Sequence, residues 1–177
     1  MQRWRVPVGF LSAPLFIIFA RPRPLTLAVG LAVATLGLGL RAWASGYLRK
    51  NDVLATHGPY GHTRNPLYLG SFLMGAGFSI ATGRFVLGIL FVIIFLGIYV
   101  PVMRVESATL AELFGEQYRR YAQAVPLFFP RVTRYRDSSA DKAAFDPALY
   151  KRYREYRAAL GFLIAWALLA LKAIYLR

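Results

Sequence analysis

The side chains able to do chemistry gather in two blocks. The first is residues 57–70, His57-Gly58-Pro59-Tyr60-Gly61-His62-Thr63-Arg64-Asn65-Pro66-Leu67-Tyr68-Leu69-Gly70, where ring-bearing, cationic and turn-forming residues sit between two apolar runs. Proline fixes φ and restricts the residue before it, so Gly58-Pro59 and Asn65-Pro66 read as turns bounding a tight polar loop. The second block starts at Glu106 and runs through Leu110, Phe114-Gly115-Glu116, Tyr118 and Tyr121 to Val125-Pro126 and Pro130. A carboxylate can pair with an ammonium or hold a hydroxyl, and a guanidinium can take a carboxylate in bidentate fashion. Aromatic rings can lie against a flat or cationic ligand. Together these groups suit a small polar cofactor held at a membrane boundary.

Other chemistries find little support. The chain has no cysteine, so it offers no thiolate nucleophile, disulfide or cysteine metal site. His57 and His62 lack a third ligand, so no metal is expected. The net charge of +14 raises the question of nucleic acid. The basic residues, however, cluster at the ends of apolar segments, where lipid headgroups meet them, so no nucleic-acid partner is expected. A transporter needs ionisable residues within its spans, and only Arg41 and Lys172, near span ends, qualify.

The elements that must position these blocks are membrane helices. The chain is 57% hydrophobic, and its apolar residues come in runs. Its mean hydropathy is +0.44. The first run, residues 6–20, is short for a span and contains Pro7 and Pro14. No signal-peptide cleavage pattern accompanies it, so it reads as retained. Arg21-Pro22-Arg23-Pro24 stops it, and residues 25–45 form a better second span with Gly30, Gly37 and Gly39 on it. A polar loop follows over 46–66. Residues 67–82 read as a third span with a small-residue face at Gly70, Gly75 and Gly77, and such faces let helices approach closely in lipid. Gly83-Arg84 turns the chain into a fourth span, 85–103. The third and fourth spans form a hairpin. A hairpin returns the chain to the side it left, so the two polar blocks share one membrane face.

Residues 104–123 read as an amphipathic helix with Leu110, Leu113, Phe114, Gln117 and Tyr121 on one face, and Glu112, Glu116, Arg119 and Arg120 turned away. It can continue the fourth span beyond the bilayer. Pro126 and Pro130 end it, and a polar connector follows over 131–146. Asp146-Pro147 signals a helix start, with a basic, tyrosine-rich foot (Tyr150, Tyr153, Tyr156) that reads as an interfacial belt and a fifth span over 158–175. The fold class is therefore an all-α integral membrane protein with about five transmembrane helices. It is one domain over 1–177, with a core at about 46–131 and a C-terminal span at 147–177. With five spans and the N-terminus inside, the inner segments hold two, four and eleven basic residues, 17 of the 22 Lys and Arg, and all eight acids. By the positive-inside rule the polar face is cytoplasmic.

The two blocks, read together, resemble the isoprenylcysteine carboxyl methyltransferase and phospholipid methyltransferase superfamily of integral membrane enzymes. Members carry G-x-Y…R-[HN]-P-x-Y-x-G before a helical hairpin and E-[E]-x-x-L-x-x-x-F-G-x-x-Y-x-x-Y…P after it. The likeness covers about residues 50–130. It implies S-adenosylmethionine as methyl donor on the cytoplasmic side and a lipophilic acceptor from the bilayer, entering laterally near the third and fourth spans. Carried over by position, the cofactor site comprises Val53, Leu54, Ala55, Tyr60, Asn65, Pro66, Leu67, Tyr68 and Glu106. Glu106 and Arg64 stand as the residues carrying activity, with Arg104 as a substrate or phosphate contact; Glu106 or His62 can take a proton from an amine or hydroxyl acceptor.

Three positions depart from the pattern. Asn65 stands where histidine is common, Ser107 where a second glutamate is frequent, and Val102 where prenylcysteine-specific members carry arginine. The acceptor therefore stays open among phospholipid amines, prenylcysteine-like carboxylates and other lipophilic molecules. The alternative is a non-catalytic lipid- or partner-binding membrane protein on the same scaffold.

Overall fold

The computed structural model describes residues 16–49, 53–136 and 144–175, and most of the first apolar run therefore lies outside the described residues. Among the described residues every regular element is helical. These are α1 (Pro24–Ser45), a 3-10 turn (Gly58–Gly61), α2 (Pro66–Ala81), α3 (Phe85–Ala124), α4 (Pro147–Arg152) and α5 (Tyr156–Tyr175). A short helical stretch over 16–19 precedes α1. Helices α1, α3 and α5 are long and apolar enough to cross a membrane. They present Leu25, Phe85, Val86, Ile93, Ile164 and Ile174 outward, as a lipid-facing surface requires.

The third expected span is shorter than a full crossing. At 16 residues, α2 is an apolar helix about 24 Å long, against about 30 Å of hydrocarbon. It lies against α1 with backbones almost touching. A Cβ on Gly37 would stand 2.5 Å from the Gly70 carbonyl oxygen, and one on Gly77 would stand 2.5 Å from both the Ala34 nitrogen and the Gly30 carbonyl oxygen. Gly75 instead receives the Phe91 ring of α3, and Gly39 faces open space, away from the helix contact.

Gly83, at φ 67°, turns α2 into α3. The hairpin is filled by rings: Phe95 stacks on Tyr99 at 4.3 Å, and Phe72 meets Phe91, Phe95 and Phe128. The fourth span and the amphipathic segment are one 40-residue element, broken at Gly115 (φ 53°, ψ −126°). This backbone region is essentially open only to glycine. Tyr118 and Tyr121 are buried beyond the break, while Leu113, which the uninterrupted pattern places on the inner face, is exposed.

Residues 126–135 form a strap, although they carry no periodic signal. Arg64 N–H donates to the Pro126 carbonyl (3.0 Å), Arg131 N–H to His62 (2.9 Å) and Tyr135 N–H to Gly61 (2.9 Å). Thr63 Oγ1 donates to the Phe128 carbonyl and Asn65 Nδ2 to that of Leu127, both at 2.9 Å. The Arg131 guanidinium donates to the Ala124 carbonyl at the C-terminus of α3. At the far end of the chain, Asp146 caps α4 as its position suggests, accepting from Ala148 N–H at 2.8 Å. The expected continuous C-terminal helix is instead interrupted between α4 and α5 by Arg154 in the left-handed region (φ 55°). Lys172 Nζ donates to the carbonyls of Ile17 and Ile18 at 2.6 and 2.7 Å, closing the end of the short first helix.

Candidate functional site

A cavity of about 460 Å³ opens where the end of α1, the 53–68 segment and the middle of α3 meet. Pro66 at the first position of α2, with φ already helical, aims Leu67 and Tyr68 at it. On the opposite wall stand Glu106, Ser107, Leu110 and Phe114, which recur every three or four residues along α3, and Tyr118 and Tyr121 beyond the Gly115 break. A larger cavity, about 530 Å³, lies at the turn of the hairpin. Its wall is mainly hydrocarbon, from Ile80, Phe85, Ile89, Val92 and Ile93, whereas the smaller cavity is the one lined by Arg41, Arg64, Asn65, Glu106 and Ser107.

The polar groups of the cavity are tied together across the hairpin. Tyr68 Oη donates to Glu106 Oε1 at 2.7 Å. Arg64 Nη1 donates to Ser107 Oγ (3.2 Å) and to Tyr118 Oη (3.3 Å), and Tyr118 Oη donates to Ser107 Oγ at 2.7 Å. Ser107, in the place of the frequent second glutamate, thus meets Arg64 as a hydroxyl rather than a carboxylate. The Arg64 Nε is buried with no hydrogen-bond partner. Tyr121 Oη donates to the Tyr60 carbonyl at 2.7 Å and fastens the 3-10 turn to α3. Burial, above all, pushes the phenols of Tyr60 and Tyr121 well above the ordinary tyrosine value. At Tyr60 the Glu155 carboxylate adds to the rise, and Arg41 opposes it.

Val53, Leu54, Ala55, Tyr60, Arg64, Asn65, Pro66, Leu67, Tyr68 and Glu106 all line this one cavity. One N–H of the Asn65 side-chain amide is engaged with the strap. Arg104 does not belong to the lining and is exposed. It precedes Glu106 by two residues, which is about 200° of helix rotation. His62 is also outside the lining, with Nδ1 on the Arg131 carbonyl at 2.9 Å, which makes that nitrogen the donor. His57 Nδ1 meets Thr56 Oγ1. No group of three metal-ligating side chains occurs among the described residues.

Two further residues join the site, and sequence reasoning passed over both. Arg41, near the end of α1, lines the cavity and forms a two-pronged ion pair with Glu155 from the turn before α5, Nε to Oε2 at 3.0 Å and Nη2 to Oε1 at 2.8 Å. Its Nη1 donates to Ser71 Oγ and to the Leu67 carbonyl on α2. Both signals were present: an arginine within an apolar helix, and a single acid after Asp146 amid basic residues.

The pattern of the phospholipid methyltransferase family matches residues 25–117, just over half of the chain. The chain belongs to that family. Its relatives include the cobalt-zinc-cadmium resistance protein CzcN of Cupriavidus metallidurans, 36% identical over 77% of this chain and 66% of that protein. The nickel-cobalt-cadmium resistance protein NccN of Alcaligenes xylosoxydans xylosoxydans is 34% identical over 63% of this chain and 51% of its own length. The protein-S-isoprenylcysteine O-methyltransferase of Schizosaccharomyces pombe is 31% identical over 47% of this chain and 35% of its length. The chain thus spans between about a third and two thirds of the relatives it matches. No solved structure is significantly similar. Family and apolar helices together make this an integral membrane protein of a methyltransferase family.

Proposed function

We propose that the protein transfers a methyl group from S-adenosylmethionine to a lipophilic, membrane-resident acceptor, with the cavity on the cytoplasmic side of a chain of about five spans. The observation that carries this reading is that both blocks of the family pattern, the one before the hairpin with Asn65 and Tyr68 and the one after it with Glu106, face the same cavity, in which Tyr68 touches Glu106. The volume, about 460 Å³, falls in the range of small-molecule sites. The lining also fits the donor's chemistry. Tyr60, Tyr68 and Phe114 offer ring faces, Glu106 a carboxylate for the ammonium or a ribose hydroxyl, and Arg64 an unpartnered buried Nε toward a carboxylate. The donor supplies a methyl group already activated on a sulfonium. The chain's own work is therefore to align the acceptor and exclude water. Among the described residues Glu106 is the one carboxylate of the lining, and so the candidate to take a proton from an amine or hydroxyl acceptor. The cytoplasmic assignment rests on the bias of basic residues.

A second reading, a non-catalytic lipid- or partner-binding protein, draws support from Ser107 in place of the second glutamate and from relatives named for metal resistance. Titration of S-adenosylmethionine and S-adenosylhomocysteine into purified protein separates the two. Micromolar binding that is lost in Glu106→Ala and Arg64→Gln, but kept in Arg104→Gln, supports the methyltransferase. Absence of binding by the folded wild type, with lipid supplied, favours the second reading.

A further inference from the structure

The family pattern ends at residue 117, yet one wall of the cavity depends on a side chain well beyond it. Glu155 reaches back across 114 residues to Arg41. The pair is sheltered, with 21% of the Arg41 side chain and 11% of the Glu155 side chain exposed. The backbone beside it is irregular: Arg154 sits at φ 55°, and the C-terminal helix breaks there instead of running on. An arginine in that region costs conformational energy, so something in the native structure outweighs it. Arg41 in turn grips the first turn of α2 through the Leu67 carbonyl and Ser71, beside the cavity residues Leu67 and Tyr68. The cavity thus carries a fixed cation in its wall, with a dedicated carboxylate behind it.

This matters for a ligand that is itself a cation. A sulfonium donor carries one more positive charge than the thioether left after transfer. An arginine with no counter-charge in a sheltered wall repels the donor and not the product. We propose that Glu155 is a positioning residue that neutralises Arg41 and thereby lets the cavity accept a cationic sulfonium ligand in preference to its neutral thioether product. The inference rests on the methyl-donor reading above and adds a charge-selecting element from the C-terminal segment. A purely mechanical tie between α1 and α5 would not distinguish the two ligands.

The test is calorimetric titration of S-adenosylmethionine and S-adenosylhomocysteine into the full, detergent-purified chain. Four proteins are compared: wild type, Glu155→Gln, Arg41→Gln and the double variant. In Glu155→Gln the ratio of donor to product affinity falls on the order of tenfold, the size Coulomb's law gives for a unit charge about 10 Å away at an effective dielectric of about 20. In Arg41→Gln the ratio moves the opposite way, because a carboxylate is left alone near the sulfonium. In the double variant it returns close to wild type. If one single variant does not fold, the sign of the other decides. Both ligands weakening alike in every folded variant overturns the inference and leaves the donor reading intact. A wild type that binds neither ligand overturns both.

Discussion

Replacing Tyr121 with phenylalanine removes one oxygen and nothing else. That oxygen donates to the Tyr60 carbonyl at 2.7 Å from a buried ring. Tyr60 is buried too and lines the cavity. Phenylalanine leaves the ring contacts with Tyr118 and Tyr135 in place, so no void opens. What is lost is the bond, and what remains is a buried carbonyl short of its donor, a cost of about 1–3 kcal/mol. For a chain of this size each kcal/mol lowers the midpoint of thermal unfolding by about 2–4 °C, so a fall of roughly 4–8 °C is expected for a cost near 2 kcal/mol. The assay is thermal unfolding in detergent, with Tyr175→Phe, an exposed tyrosine, as the control that does not move. The variant also answers a question of pH. The Tyr121 phenol is raised above its ordinary value by burial, so its neutral form stabilises the fold fully below about pH 10 and that contribution is lost as pH climbs beyond. Tyr121→Phe therefore unfolds less steeply above pH 10 than the wild type does. A variant with wild-type midpoint and wild-type alkaline slope would refute the claim that this hydroxyl fastens the 3-10 turn to α3.

Two glycine substitutions test the packing that presents the cavity. Gly77→Ala drives a Cβ to 2.5 Å from the backbone of Ala34 and Gly30, whereas Gly39→Ala meets nothing within 4 Å; the first lowers the unfolding midpoint and the second leaves it level or raises it. Gly115→Ala meets no neighbour either, but forces a side chain onto φ 53°, at a cost of about 1–3 kcal/mol. Its unfolding midpoint should therefore fall despite the open space, and a variant as stable as wild type would mean that the break is not needed.

The sequence alone determined the membrane class, because runs of apolar residues cannot be hidden in water, and three of its expected spans appear as the long helices α1, α3 and α5. It also determined that the 53–68 segment and Glu106 face one another. A hairpin of two helices leaves no other side for them, and local signals such as Pro66 and Asp146 then set where helices start. Tertiary structure decided the rest. Which side of α3 looks inward depends on rotation about its axis, and that rotation keeps Glu106 and turns Arg104 out. The glycine at 115 was visible as a letter, but only its backbone angle shows that the helix breaks there. The strap over 126–135 and the Arg41–Glu155 pair join segments far apart in the chain through irregular backbone, which leaves no period to read. A local pattern can specify a helix and its cap. Only packing of α1, α2 and α5 against one another could specify that an acid at position 155 would stand behind an arginine at position 41.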